Sequence, residues 1–296
     1  MKIKKAVITA AGFGSRFLPI TKTIPKEMLP IIDKPIIHYL VEECKEAGIE
    51  EVIIVASPTE VATFENYFYG KAISVKNLMY KQGKVERWKK VEKLFSLPPI
   101  TIVPQDESIP YGNGRPVLSV KELVQDEEAF VVIFGDDLVL SDISSVKQLI
   151  DYYEANPCDA LLGVQRVDED EVDRYGILKL KDGSENQVEK IVEKPSLEDA
   201  PSNLASYGRF ILTPKIFEYL RSDRIGMDGE VWLQDANDEL AKNGKVLYKE
   251  VEGEWMTTGD PFRYLKAHLK YALKDPEMKD NIINFINEME ELLEDD

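Results

Sequence analysis

The chain has 296 residues, 44% of them hydrophobic, with 37 basic against 54 acidic residues and a formal net charge of −17 at pH 7. A chain of this length buries roughly three quarters of its unfolded surface, and its negative field repels polyanions, so no nucleic acid and no anionic membrane is expected as a partner. No run of about 18 apolar residues is present, the first residues lead directly into a strand pattern rather than a signal-peptide core, and a cytoplasmic location is expected.

Cys44 and Cys158 lie far apart in helix-like or apolar surroundings and read as buried thiols rather than a disulfide or metal site. With His38 and His268 as the only histidines and no Cys/His grouping, zinc chemistry and a histidine-based triad lose their support. Chemistry here must rest on carboxylates, lysines, arginine and backbone.

In chain order, KAVITA reads as a strand, PIIHYLVEECKEAG as a helix between Pro35 and Gly48, EEVIIVA as a strand, and Val61 to Phe68 as a helix. Strands ITIVPQ and AFVVIFGDD follow, with a helix from about Arg115 to Val124 between them. This alternation predicts right-handed βαβ units, whose ligands sit at the carboxyl ends of the strands. DALLGVQRV, GILKLK, VEKIVEK and ASYGRFILT are then consecutive strand candidates, a mixed and partly antiparallel extension of the same sheet. Helical patterns return in PKIFEYLRS, EVWLQDANDELAKNG and PFRYLKAHLKYALK, with a last helix from Pro276. The basic stretch KQGKVERWKKVEKLFSLPP is either a mobile substrate-side flap or a solvated insertion helix. The expected organisation is one α/β domain over residues 1–274 and an acidic helical appendage over 275–296.

The segment AAGFGSR after the first strand poses a choice. A nicotinamide fold needs a third glycine, where Phe17 stands, and a helix, where Pro19, Pro25 and Pro30 keep the chain extended. Gly12 and Gly14 allow close backbone approach to phosphate oxygens, and Arg16 and Lys26 supply positive charge. That set fits a triphosphate in transit rather than a bound dinucleotide.

The stretch AAGFGSRFLPITKTIPKEMLPIIDKPIIHYLVEE resembles the signature of the sugar nucleotidyltransferases, in particular the bacterial UTP:glucose-1-phosphate uridylyltransferase branch. FGDD, YGI, VEKP, APSNLASYGRFILTP, GEVWLQDA and TGD recur in that family's order over roughly residues 3 to 270. The resemblance implies a Rossmann-like nucleotidyltransferase fold: a mixed, mostly parallel central sheet flanked by helices, with a C-terminal helical appendage. It also implies attack of the glucose 1-phosphate oxygen on the α-phosphorus of UTP, giving UDP-glucose and pyrophosphate. Such chemistry rests on positioning and charge neutralisation, with Mg²⁺ on one or two carboxylates.

By the same resemblance Arg16, Lys26 and Lys194 are catalytic, and Asp136 and Asp260 hold the metal. Ala10, Ala11, Gly12, Gly14, Glu27, Gln105 and Gly112 surround the nucleotide, and Asp137, Gly176, Glu193 and Asn203 face the sugar. Taken by themselves, Asp136 and Asp137 also fit a turn after a strand, Asp260 a helix cap, and Glu193-Lys194 a solvated rim. The family forms dimers or tetramers, and IINFINEMEELL has an apolar stripe suited either to a partner helix or to its own domain.

The chain departs from the family in QDESIPYGNGRPV, where Asn113 replaces a leucine and Arg115-Pro116 stand in place of His-Ala. The extra arginine either adds a phosphate contact or fills space. Thymidylyltransferases of this fold carry glutamine where Glu27 stands and two glycines in place of Ala10-Ala11, so UTP is favoured over dTTP. A catalytically silent nucleotide-sugar-binding regulator and a dehydrogenase are the readings from other classes.

Overall fold

The structure, a computed structural model, describes residues 3–294. Strand β1 (Lys5–Ala10) is followed by 3-10 turns and a minimal hairpin, β2 (Pro30–Ile31) with β3 (Lys34–Pro35). Next come α1 (Ile36–Glu46), β4 (Glu51–Ala56), α2 (Val61–Tyr69), α3 (Ile73–Lys81), α4 (Val85–Glu92) and β5 (Ile100–Pro104). The short α5 (Arg115–Ser119) and α6 (Lys121–Val124) lead to β6 (Phe130–Phe134) and β7 (Asp137–Leu140). Then follow α7 (Ser145–Ala155), β8 (Ala160–Arg166), β9 (Gly176–Leu180), β10 (Val188–Glu193) and β11 (Leu204–Leu212). Helix α8 (Leu233–Asn243), β12 (Val246–Glu250), β13 (Glu254–Thr257), α9 (Pro261–Lys274) and α10 (Lys279–Glu294) complete the described chain.

Among the described residues one nine-stranded sheet carries the fold, in the order β10-β9-β11-β6-β1-β4-β5, with β8 on β11 and β12 on β8. Only β10 and β11 run against the rest, so the sheet is mixed but mostly parallel in strand sense. The central strands are buried on both faces, as parallel strands between two helical layers must be. Ala6, Ile8 and Ala10 of β1 enter one core with α1 and α7, while Val7 enters the other with α5 and α8.

Strand β11 positions the site. Its lower half pairs with β6 through Arg209 to Leu212, and its upper end pairs with β9 through Ala205 and Ser206. The register shifts in between, on the side of β8. The cavity opens at this handover, above the carboxyl end of β6.

PKIFEYLRS, expected to be helical, tightens to a 3-10 turn at Pro214–Glu218 that buries Ile216 and Phe217. Strands β12 and β13 were not legible in the sequence; β13 pairs with β7 and β12 with β8. The basic stretch is helical, with Trp88 buried and Lys90 paired to Asp33 at 2.6 Å, and none of its residues lines the cavity. Cys44 is buried and Cys158 half-buried, both unpaired. No described helix is long and apolar enough to cross a membrane.

Candidate active site

A cavity of about 660 Å³ gathers residues from well-separated parts of the chain, among them Arg16, Asp136, Gly176, Lys194 and Asp260. Strand β1 ends at Ala10, buried like Ala11. No α-helix begins in the loop that follows; Gly14 takes φ 58° and the chain runs through 3-10 turns. The loop is tied down from within, Thr21 Oγ1 donating to the Gly14 carbonyl at 2.8 Å. A Cβ on Gly12 would lie 3.4 Å from Lys26 Cε, so the lysine stem crosses directly beneath the glycine.

Lys26 Nζ ends 2.5 Å from Asp136 Oδ2. Burial by itself would lower the lysine pKa, but the Asp136 and Glu27 carboxylates outweigh it and hold the ammonium charged. Burial likewise raises Asp136, and Lys26 more than reverses this, so Asp136 sits below the usual carboxylate range. In Asp137 burial and then the neighbouring Asp136 push the carboxyl up.

Asp260 enters the same cavity as Asp136 from far along the chain through the β7–β13 ladder, in which Thr257 lies opposite Asp137. Thr258 N donates to the Asp136 carbonyl at 2.6 Å and Thr258 Oγ1 to the same oxygen at 2.8 Å. A Cβ on Gly259 would stand 3.1 Å from Asp136 Oδ2, so a glycine is what lets the two segments approach. Arg16 Nη1 lies 3.5 Å from the Gly259 carbonyl and completes this corner. Asp260 also caps α9, accepting from Phe262 N and Arg263 N, and pairs with Arg263 at 2.8 Å. The helix-cap and cavity readings of this residue thus hold together.

On the opposite wall, Lys194 takes φ 47°, a left-handed conformation uncommon for a side chain of this size, and such backbone clusters at functional sites. Its ammonium lies 4.7 Å from the Trp232 ring centroid and 3.9 Å from Glu193 Oε1. Burial raises the Glu193 carboxyl. Gly176 lies beside Glu193, opposite it in the β9–β10 ladder.

The other expected site residues differ in where they sit. Asn203 does not line the cavity: its Nδ2 donates to the Val167 carbonyl at 3.3 Å and its Oδ1 accepts from Arg166 at 3.1 Å. Glu27, expected beside the base, is 1% exposed and does not line the cavity. Burial pushes its carboxyl up to about 7, and its Oε2 has no hydrogen-bond partner among the described residues. Asp137 lines the cavity, but its oxygens already accept from Trp255 Nε1 at 3.0 Å and Gly208 N at 3.1 Å. Gln105 is buried at the end of β5, its N–H donating to Ala56 O.

The segment around Gly112 is tied to the start of α8, and its Asn113 also lines the cavity. Gly112 has φ 135° and a Cβ there would meet Val231 O at 2.2 Å. Val231 N donates to Tyr111 O at 2.7 Å, Gly114 N donates to Val231 O at 2.9 Å, and Asn113 Oδ1 accepts from Leu233 N at the start of α8. Arg115 turns inward, donating to Ile109 O at 2.7 Å. It fills space rather than reaching the cavity. Phe13 of the glycine loop stacks on Tyr111 at 5.4 Å and joins the two nucleotide-side loops.

Sequence reasoning missed a support beneath the site. Arg209 is fully buried on β11, and its guanidinium pairs with Glu43 of α1 at 2.7 Å. It also donates to the carbonyls of Asp137 at 2.8 Å and Gly208 at 2.9 Å. The motif YGRF held the signal, since an arginine inside an apolar strand requires an acidic partner, but the partner lies 166 positions away.

A Nucleotidyl transferase family model matches residues 5–274. The chain belongs to the nucleotidyl transferase family. It is 40% identical over 291 residues to a UTP--glucose-1-phosphate uridylyltransferase of Staphylococcus epidermidis, covering 98% of this chain and 99% of that protein. Among solved structures it is similar to a UTP-bound UGPase from Acinetobacter baumannii, with TM-score 0.86 and 32% identity over 97% of this chain and 99% of that one. It is also similar to a UDP-glucose pyrophosphorylase complexed with UDP-glucose, with TM-score 0.81 and 36% identity over 93% of this chain and 100% of that one. This nucleotidyl transferase thus carries its motifs as two walls of one cavity: Arg16, Asp136 and Asp260 on one, with Lys26 behind Asp136, and Glu193 and Lys194 on the other.

Proposed function

We propose that the protein transfers UMP from UTP to glucose 1-phosphate, giving UDP-glucose and pyrophosphate. The observation that carries this is the single cavity in which the acidic corner with Arg16 faces Glu193-Lys194, on a chain 40% identical over nearly its whole length to a uridylyltransferase. The sugar phosphate oxygen forms a new bond to the α-phosphorus while the bond to the β-phosphate oxygen breaks, and pyrophosphate leaves with that electron pair. Lys194 balances the charge of the attacking phosphate. Arg16 and Lys26 balance that of the triphosphate. Gly12 and Gly14 let backbone N–H groups approach its oxygens, so little of the barrier requires covalent help from the protein.

The donor set suits a divalent cation. Asp136 and Asp260 both line the cavity, and no group of three or more His, Cys, Asp or Glu residues that could hold a metal forms among the described residues. Two hard carboxylates completed by substrate phosphates is the habit of Mg²⁺ rather than of a closed protein cage. When bound, Mg²⁺ would neutralise phosphate oxygens. The two carboxylates would exchange part of their contact with Lys26 and Arg263 for it.

Residues 1–274 are read as the catalytic domain and 275–296 as an appendage. Its exposed Ile283, Phe285, Ile286 and Met289 suit a homo-oligomer, which light scattering of the purified chain tests. The function itself is tested by pyrophosphate release over a grid of nucleoside triphosphates and sugar 1-phosphates with Mg²⁺. UTP with glucose 1-phosphate is the expected best pair, and Asp136→Ala is expected to abolish its turnover. No release with any pair overturns the reading, and a preference for dTTP overturns the choice of base.

A further inference from the structure

The sugar-side wall carries polar groups that the reaction above leaves unused. In the register of β10, β9 and β11, Glu193 lies opposite Gly176, and Gly176 opposite Ser206. Residues directly opposite on neighbouring strands share a face of the sheet. The side chains of Glu193 and Ser206 therefore flank the glycine on one side, and its missing Cβ leaves a slot between them. A Cβ built on Gly176 would stand 3.0 Å from Glu193 Oε2 and 3.0 Å from Gln234 Nε2.

Gln234, in the first turn of α8, closes the slot from above and is 5% exposed. Its Oε1 accepts from Asn237 Nδ2 at 3.2 Å, which fixes the amide with Nε2 toward the slot. Ser206 is also 5% exposed. Ser206 Oγ and Glu193 Oε2 are buried with no hydrogen-bond partner among the described residues. Leaving such groups unpaired in a buried setting is costly. The slot offers an amide donor, a carboxylate acceptor and a hydroxyl that is both. A sugar hydroxyl, itself both donor and acceptor, satisfies that set, whereas a phosphate or a methyl group does not.

We propose that Gln234 and Ser206 are specificity-determining residues which, with Glu193, read one ring hydroxyl of the sugar 1-phosphate; this rests on the uridylyl transfer proposed above. Glu193, Ser206 and Gln234 all line the cavity, and because a Cβ on residue 176 would crowd Glu193 Oε2 and Gln234 Nε2 at 3.0 Å each, the glycine keeps the space between them free of protein carbon. A pocket built to pair a hydroxyl penalises the analogue that lacks it far more than an apolar pocket would.

The test uses the full chain with UTP, Mg²⁺, glucose 1-phosphate and its series of monodeoxy analogues. Gln234→Met keeps the side-chain shape, and Ser206→Ala is the smaller change should the first variant lose stability. The expected result is a rise in KM for glucose 1-phosphate of about tenfold in Gln234→Met and about threefold in Ser206→Ala, the sizes of a lost neutral hydrogen bond, with KM for UTP within twofold of wild type. At one ring position the deoxy analogue is penalised by wild type and not further penalised by the variants. An unchanged KM for glucose 1-phosphate, a parallel rise in KM for UTP, or an equal deoxy penalty in wild type and variants at every position overturns the slot. Absence of pyrophosphate release by the wild type refutes instead the reaction on which the slot rests.

Discussion

The buried pair beneath the site makes a demanding prediction, because its structural and catalytic consequences separate. Arg209 is 0% exposed, and Glu43 receives two of its guanidinium N–H groups, at 3.2 and 2.7 Å. Glu43 Oε1 also accepts from Ser145 Oγ and from Val146 N at the start of α7. Glu43→Ala leaves a guanidinium charged and unpaired in the core, which costs roughly 3–5 kcal/mol. At about 2–4 °C per kcal/mol for a large domain, the melting temperature should fall by ~6–20 °C. Replacing both partners, Glu43→Leu with Arg209→Met, removes the stranded charge, so stability should return to within about 2 kcal/mol of wild type. Turnover should not return with it, because the carbonyls of Asp137 and Gly208 lose the donors that fix them in the cavity wall. Calorimetry at one scan rate and a pyrophosphate-release assay measure the two effects. A double variant as unstable as Glu43→Ala, or one with wild-type turnover, refutes the reasoning.

Lys194→Ala should raise KM for glucose 1-phosphate at least tenfold with little change in UTP binding, read by steady-state kinetics and calorimetry; equal weakening of both substrates would mean that the left-handed turn is merely structural. Gly112→Ala forces a side chain into φ 135° and against Val231 O, at a cost of about 1–3 kcal/mol in backbone strain alone. It should lower the melting temperature and, by displacing the segment ahead of α8, harm both substrates; a fully stable, active variant would contradict the tight loop. Burial works to raise Glu42, but the neighbouring His38 ring at 3.3 Å and the hydrogen bond from Lys34 prevail and bring its carboxyl to about 2. A depressed carboxylate contributes stability that is present above the ordinary value of 4.5 and is lost as pH falls toward about 2. Glu42→Gln should therefore show a smaller drop in melting temperature between pH 5 and pH 3 than wild type, and an identical drop would refute the assignment.

Much of this was legible along the chain because the determinants are local. Apolar runs of strand length, Pro35 and Gly48 bounding α1, and the prolines after the glycine loop set the βαβ order and ruled out a dinucleotide helix at Phe17. The acids after β6 and the Glu193-Lys194 pair stood out because charges beside apolar strands need a reason. Strands β12 and β13 were not readable, since their stability comes from the β8 and β7 edges they cover rather than from their own pattern.

The sequence by itself determined the family, the class of chemistry and several of the charged groups that line the cavity, since these rest on residue types in a fixed order. Tertiary structure decided how those groups are used, because distances between remote segments are set by strand register. The β7–β13 ladder brings Asp260 into the cavity that Asp136 lines, and the hydrogen bonds of Asn203 to Val167 and Arg166 hold it outside. Full burial keeps Glu27 out of the cavity lining, and Ser206 and Gln234 come to the same glycine, Gly176, only through the strand register and the start of α8.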